Sequence, residues 1–271
     1  MRKKRNADLV LGLILAGTVA VFALISLFYT PYDPYAVNSA QAFLAPSPAH
    51  PFGTDNLGRD NFCRAVTGAR YSLFVALGTV ALSGTAGVAL GLVTGFYGGT
   101  ADEIVMRFVD ALASFPGVLL ALVTVTVLDA GKYAIIPALA VAFLPSFTRI
   151  ARSGAMRLKE RDFVDAARVS GASDARIMFR CLLPNLRPTL SAAVVVGLSN
   201  AILAESGMSY LGLGIQPPIP SWGRMLFEGQ AYLFKAPWEA LSAGLMMGIT
   251  VLGFHCVGEG LAGEKVRTDP R

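Results

Sequence analysis

The stretch DAARVSGASDARIMFRCLLPN, residues 165 to 185, sets several arginines and one glycine in a chain that is otherwise mostly apolar. The chemistry open to it is docking: alanines permit close approach to a groove, and arginines pair with acidic groups. Bond-making chemistry has little to work with elsewhere. The only histidines are His50 and His255, and Cys63, Cys181 and Cys256 fall in three separate parts of the chain. Without CxxC or other ligand spacing, neither zinc nor a disulfide framework is expected. His255 and Cys256 lie near Met246 and Met247, a set of soft ligands. Neighbours on a helix point about 100° apart, however, and do not converge on one ion. No metal site is expected. The string closest to a phosphate cradle, GEGLAGEK, lacks the G-x-x-x-x-G-K-[ST] spacing, so this chain is expected to bind and hydrolyse no ATP.

The remaining charged residues offer less. Asp55, Arg59 and Asp60, with Arg64 and Arg70, either line a receptor-docking surface or form ion pairs and N-caps around a short surface helix. Asp110, Glu205 and Glu259 lie near the ends of apolar runs and none is central. A secondary transporter would rather show inverted repeats or buried ionisable groups for ion coupling. A membrane enzyme would need a nucleophile constellation, and none is visible. Glu205 reads as a hydrogen bonder near a gate or as a cap for the loop after it. Trp222 and Trp238 suit an interfacial aromatic belt.

These residues must be positioned by membrane helices. Of 271 residues 54% are hydrophobic and 15% charged, with a mean hydropathy of +0.55. A soluble chain carries about a quarter charged residues. Apolar runs at 9–28, 71–97, 116–128, 134–150, 188–204 and 238–261 approach or reach the roughly 20 residues that span a bilayer. The first run is too long for a signal peptide and lacks a small-residue cleavage site, so it is read as an anchored helix. A polar, proline-rich segment fills 29–70. Residues 98–117 read as a short amphipathic helix with Ile104, Val105, Phe108, Ala111 and Leu112 on one side, and DAGKY as a tight turn. Residues 205–237 read as a loop. With the N-terminus inside, 17 of the 23 Lys and Arg residues fall on the cytoplasmic side, as the positive-inside rule requires. The same rule accounts for the basic charge, and nucleic acid is not an expected partner.

Within 152–187, Phe163, Ala166, Ala167 and Ser170 recur at helical spacing, and Gly171 follows where a left-handed C-cap is needed. Ser173 or Ala172 opens a second helix, Ile177, Met178, Cys181 and Leu182 form its apolar stripe, and Pro184 closes it before Pro188 opens the next span. The product is a cytoplasmic helix–glycine–helix knob. An ordinary basic loop is the alternative.

The order of these residues resembles the EAA loop of ABC importer permeases: Glu-Ala-Ala, three residues, Gly, nine residues, Ile, one residue, Leu-Pro. Here it reads Asp165, Ala166, Ala167, Gly171, Cys181, Leu183 and Pro184, with Asp for Glu and Cys for Ile. HPFGTDNLGRDNFCRAVTGARYSL (50–73), carrying Gly53, Thr54, Asp55, Gly58, Arg59 and Asp60, resembles the segment before the second span in the C-type subunit of dipeptide, oligopeptide and nickel permeases. SYLGLGIQPPIPSWGRML (209–226), carrying Gly212, Gly214, Trp222 and Gly223, resembles that subfamily's loop before the last span. VGEGLAGEKVRTDPR is loosely similar to its terminus, with Ala262 and Gly263 replacing Arg-Asp before Asp269 and Pro270. The resemblance implies an all-α integral membrane protein with the type I (MetI-like) importer permease fold. It has six transmembrane helices, a cytoplasmic coupling loop at 152–187 and both termini in the cytoplasm. Residues 1–70 then supply the first span and an external segment, and 71–271 the permease core. The implied partners are a second homologous permease, two ATPases that hold ATP and magnesium, an extracytoplasmic solute-binding protein, and membrane lipid. The implied substrate is a short peptide, with nickel or a metal chelate as the alternative.

Overall fold

The computed structural model describes residues 2–128 and 133–262, all of it helices, turns and loops. DAGKY, GEGLAGEK and the basic tail extend into residues outside this range. In chain order the helices are α1 (Arg2–Ile25), α2 (Asn61–Tyr97), α3 (Gly99–Ser114), α4 (Gly117–Leu128) and α5 (Ile135–Leu158). There follow α6 (Asp162–Val169), α7 (Asp174–Arg176), α8 (Leu183–Tyr210), α9 (Trp222–Gly229) and α10 (Trp238–Ala262). Five helical runs are long and apolar enough to cross a membrane. The pair α3 and α4, bent by 97° at their junction, makes a sixth when counted as one span.

Several helices are longer than hydropathy alone implies. α2 begins at Asn61, where Asp60 caps it by accepting from the Cys63 N–H at 2.7 Å. At 37 residues it is roughly 55 Å long, so it projects well beyond a hydrocarbon layer of about 30 Å. α5 runs on to Leu158, past the expected end at 150. Pro184 does not close a helix. α7 passes through a π turn at Ile177–Leu182 straight into α8, and Pro188 lies inside α8. A proline ring presses on the carbonyl four residues back, and the wider π spacing falls where Pro184 would meet Arg180. Asn185 Nδ2 donates to the Cys181 carbonyl at 2.7 Å. α8 also extends to Tyr210, so Glu205 is helical and caps no loop. The expected loop 205–237 holds α9.

Close packing between spans rests on small residues. Along α2, Gly87, Gly91 and Gly95 face α5; a Cβ at Gly87 would lie 2.8 Å from Phe147 Cβ and one at Gly95 2.6 Å from the Arg152 carbonyl. Where α1 crosses α10, a Cβ at Gly12 would lie 2.7 Å from the Val257 nitrogen, and one at Gly253 2.7 Å from that of Ala16. Lipid tails are as apolar as leucine, so such backbone approach is what holds membrane helices together. Gly95→Ala is therefore expected to cost about 1–3 kcal/mol. Gly17→Ala, where the added carbon meets nothing within 4 Å, is expected to be near neutral. Thermal unfolding of the two detergent-solubilised variants checks this.

The expected apolar stripe of α3 does not face the core. Ile104 and Phe108 are each 64% exposed, while Asp102 and Val109 are buried. A helix beside lipid turns its greasy side outward. Asp102 instead forms a two-point ion pair with Arg152 of α5, at 2.6 and 2.5 Å. Trp222 is fully buried, donating to the Ala65 carbonyl at 2.9 Å, and Trp238 Nε1 donates to the Thr54 carbonyl at 2.9 Å.

Candidate functional site

At the end of the bundle where α5 stops, the chain turns into α6. Val164 is its only buried residue, packed in a cluster with Leu92, Phe96, Ala155, Ile177 and Leu182. That one anchor leaves the rest of the helix outward. Val169 is 90% exposed and Phe163 40%, and Asp165 and Ala166 are also exposed. Asp165 pairs with Arg168 at 3.3 Å, a solvated contact of small energetic weight. The acidic residues Asp162 and Asp165 lie in the first turn and Arg168 in the last, each favourable to the helix dipole.

Gly171 ends α6 with φ +78°. Its N–H donates to the Arg168 carbonyl at 2.9 Å, and the Ala172 N–H to that of Ala167 at 3.0 Å. That pair of bonds is the Schellman closure, which needs a left-handed residue at its centre. Ser173 then caps α7, accepting from the Arg176 N–H. Ala167, Cys181 and Leu183 are partly buried against the cluster under Val164, and Pro184 is in the first turn of α8. The knob is thus two exposed apolar side chains on a short helix, held by one buried valine and a glycine turn.

The opposite end is built differently. Gly53 and Gly58 have φ +64° and +73°, and between them Thr54 and Asp55 are buried. Asp55 accepts from the backbone of Leu57 and Arg59 at 2.8 and 2.9 Å, from Arg59 Nε at 2.5 Å and from Arg64 Nη1 at 2.6 Å. Arg59 and Arg64 both reach Glu228 Oε2 on α9, at 2.9 and 2.6 Å, and Arg224 holds Oε1 at 2.9 Å. Oxygens of Asp55, Glu228 and Glu239 lie within 4.8 Å of one another. With Arg59 and Arg64 seated on two of the three carboxylates, the arrangement is an ion-pair network. Burial pushes the Asp55 carboxyl above the usual carboxylate range, and Arg64 is the strongest opposing pull.

Asp60 completes the frame, accepting from His50 Nδ1 at 2.8 Å while capping α2. Asp55, Asp60 and Arg64 are at most 3% exposed. Their contacts in this structure are ion pairs and an N-cap. Arg70 stands apart, stacked over Tyr71 at 4.6 Å. His255 pairs weakly with Glu259 at 3.5 Å.

Residues 87–262, which include α6, its glycine turn and α8, match the model of the binding-protein-dependent transport system inner membrane component. The chain belongs to this family. It is similar to the dipeptide transport system permease protein DppC of Haemophilus influenzae, 36% identical over 95% of this chain and 90% of that protein. Similarity to the oligopeptide transport system permease protein OppC of Bacillus subtilis is 34% identity over 96% and 86% of the two chains. The glutathione transport system permease protein GsiD of Pectobacterium atrosepticum shares 38% over 80% and 72%. The chain is thus a multi-pass inner-membrane permease of a binding-protein-dependent importer. Membership implies ATPase and binding-protein partners.

In this permease Glu205 is fully buried, and its carboxylate accepts from Ser72 on α2 at 2.8 Å and from Ser209 at 2.6 Å. It ties two spans together just before Gly212, which closes α8 with φ +81°. A Cβ at Gly214 would lie 2.7 Å from Ser209 Cα, and one at Gly223 2.7 Å from Ser206 Cα. These glycines let the segment after α8 fold back on the bundle. Ser72, Glu228, Arg224 and Glu239 escaped the sequence reading. Their partners lie more than a hundred residues away for Ser72 with Glu205 and for Arg64 with Glu228, and no local spacing signals such pairs.

Proposed function

We propose that this permease passes short peptides across the inner membrane, driven by ATPases that grip the α6 knob. The observation that carries the coupling role is the exposure of Phe163 and Val169 on a helix whose one buried residue, Val164, rests on α2, α5 and the π turn. A push on α6 therefore reaches three spans. Both termini and the knob face the cytoplasm in this reading, since basic residues gather at that end. The peptide substrate follows from the similarity to permeases named for dipeptides, oligopeptides and glutathione. A second, homologous permease completes the path. ATP and magnesium are held by two separate ATPase subunits, a solute-binding protein delivers substrate outside, and this chain performs no catalysis. Residues 71–271 act as the permease core, with 1–70 supplying the first span and the external segment.

Reconstituted with its fellow permease, ATPases and binding protein, the complex is expected to import labelled dialanine only with ATP present, uninhibited by nickel. The purified chain alone is expected to hydrolyse no ATP, and reporters fused after Lys159 and after Pro218 to report cytoplasmic and external sides. Uptake without ATP, ATPase activity from this chain alone, or one compartment for both reporters would overturn the reading.

A further inference from the structure

Two polar side chains lie well inside their spans. Asn200 on α8 and Ser146 on α5 are exposed. Ser146 lies about 16 Å along α5 from Ile135, and Asn200 about 15 Å along α8 from Tyr210, close to half the thickness of a bilayer's hydrocarbon. Several other exposed hydroxyls in the spans are satisfied by their own helix: Thr85 donates to Ala81, Thr126 to Val123 and Ser191 to Pro188. A carboxamide carries two donors and an acceptor oxygen, more than a helix that has used its own carbonyls can satisfy. Among the described residues neither Asn200 nor Ser146 has a side-chain hydrogen-bond partner. Facing lipid, such an amide would be strongly disfavoured.

Both residues open into one groove of about 340 Å³ between α4, α5 and α8, whose wall also includes Gly117, Ala142, Phe143 and Ala204. Among the described residues, no charged one lines it. A larger groove between α2 and α8, about 500 Å³, is walled almost wholly by apolar side chains, among them Leu77, Val88, Phe179 and Leu190. That one suits lipid or an apolar helix. The polar pair sets the smaller groove apart.

We infer that the groove at Ser146 and Asn200 is this chain's share of the water-filled substrate path, and that its ligand is the backbone amide of a peptide. The inference rests on the permease reading above. A carboxamide and a hydroxyl complement the N–H and C=O that every peptide bond carries. A wall without charge neither attracts nor repels particular side chains, so peptides of differing sequence can pass.

The test uses the assembled importer with ATPases and binding protein in proteoliposomes. A membrane-impermeant cationic methanethiosulfonate reagent is applied to Asn200→Cys, to Leu252→Cys on the exposed apolar face of α10, and to the unsubstituted parent. Asn200→Cys is expected to label well above the parent, and dialanine with ATP to slow that labelling several-fold. Leu252→Cys is expected to stay at the parent's rate. Asn200→Leu is expected to lower dialanine uptake about five- to tenfold with unchanged assembly. No labelling at Asn200→Cys would overturn the inference, because the fellow permease or lipid then covers the groove. Labelling indifferent to dialanine in a complex whose parent imports it would overturn the ligand assignment. A parent that imports no peptide contradicts the substrate proposed above, while labelling at Asn200→Cys still decides whether the groove is wet.

Discussion

Arg64→Ala is expected to destabilise the permease by about 3–5 kcal/mol, the cost of leaving a buried charge without its partner. Arg64 is 2% exposed and bridges Asp55 and Glu228 at 2.6 Å each. Its removal leaves three carboxylates within 4.8 Å of one another, faced by Arg59 and Arg224 alone. Asp55 also loses the strongest pull that opposes its burial. The network joins the segment before α2 to α9 and to the start of α10, so its failure releases three parts of the external end together. Arg70→Ala removes a stacking contact on Tyr71 and a 2.8 Å hydrogen bond to its hydroxyl, and is expected to cost about 0.5–1.5 kcal/mol. Denaturation in detergent, followed by tryptophan fluorescence, measures both. An Arg64→Ala protein of parental stability that no longer bound the solute-binding protein would favour the docking-surface reading of these residues.

Gly171→Glu is expected to leave the permease inserted and paired with its fellow subunit, yet to lose ATPase docking and uptake. The backbone cost is about 1 kcal/mol, because Gly171 holds φ +78°. A Cβ there would meet nothing within 4 Å in this chain, so the fold itself has room for the substitution. The added carboxylate would project beside Val169, the most exposed apolar residue of the knob. A mismatch of that kind at a docking hot spot costs several kcal/mol in affinity. Ala166→Asp, on the exposed side of α6, is expected to act similarly, and Arg176→Ala to be milder. Co-purification of the ATPase with each variant, alongside uptake, is the measurement. Full uptake and an ATPase retained by Gly171→Glu would reduce the stretch to a basic loop.

Much of this architecture is legible in short windows of sequence. The apolar runs mark the spans because each must bury about 20 residues in hydrocarbon. Gly171 marks its C-cap because a left-handed residue is needed wherever a helix closes on itself, and Ser173 announces the next entrance for a similarly local reason. The errors are local too. Pro184 and Pro188 read as helix ends because proline costs a hydrogen bond, but a π turn absorbs Pro184 and the span continues.

What the sequence by itself determined is therefore the set of membrane helices, the glycine-closed knob and its order of residues, each governed by contacts a few positions apart. Only the tertiary structure decided that Asp55 and Arg64 are buried charges in an ion-pair network with Arg59, since Glu228, the partner of both arginines, sits on α9, far along the chain. It also decided that Glu205 bonds Ser72 across two spans, and that Ser146 and Asn200 share a groove. The reason is physical. A helix period tells which residues share a face, but lipid, water and protein can each cover that face. Only the packing of one helix on another, through glycines such as Gly91 and Gly95, settles which of them does.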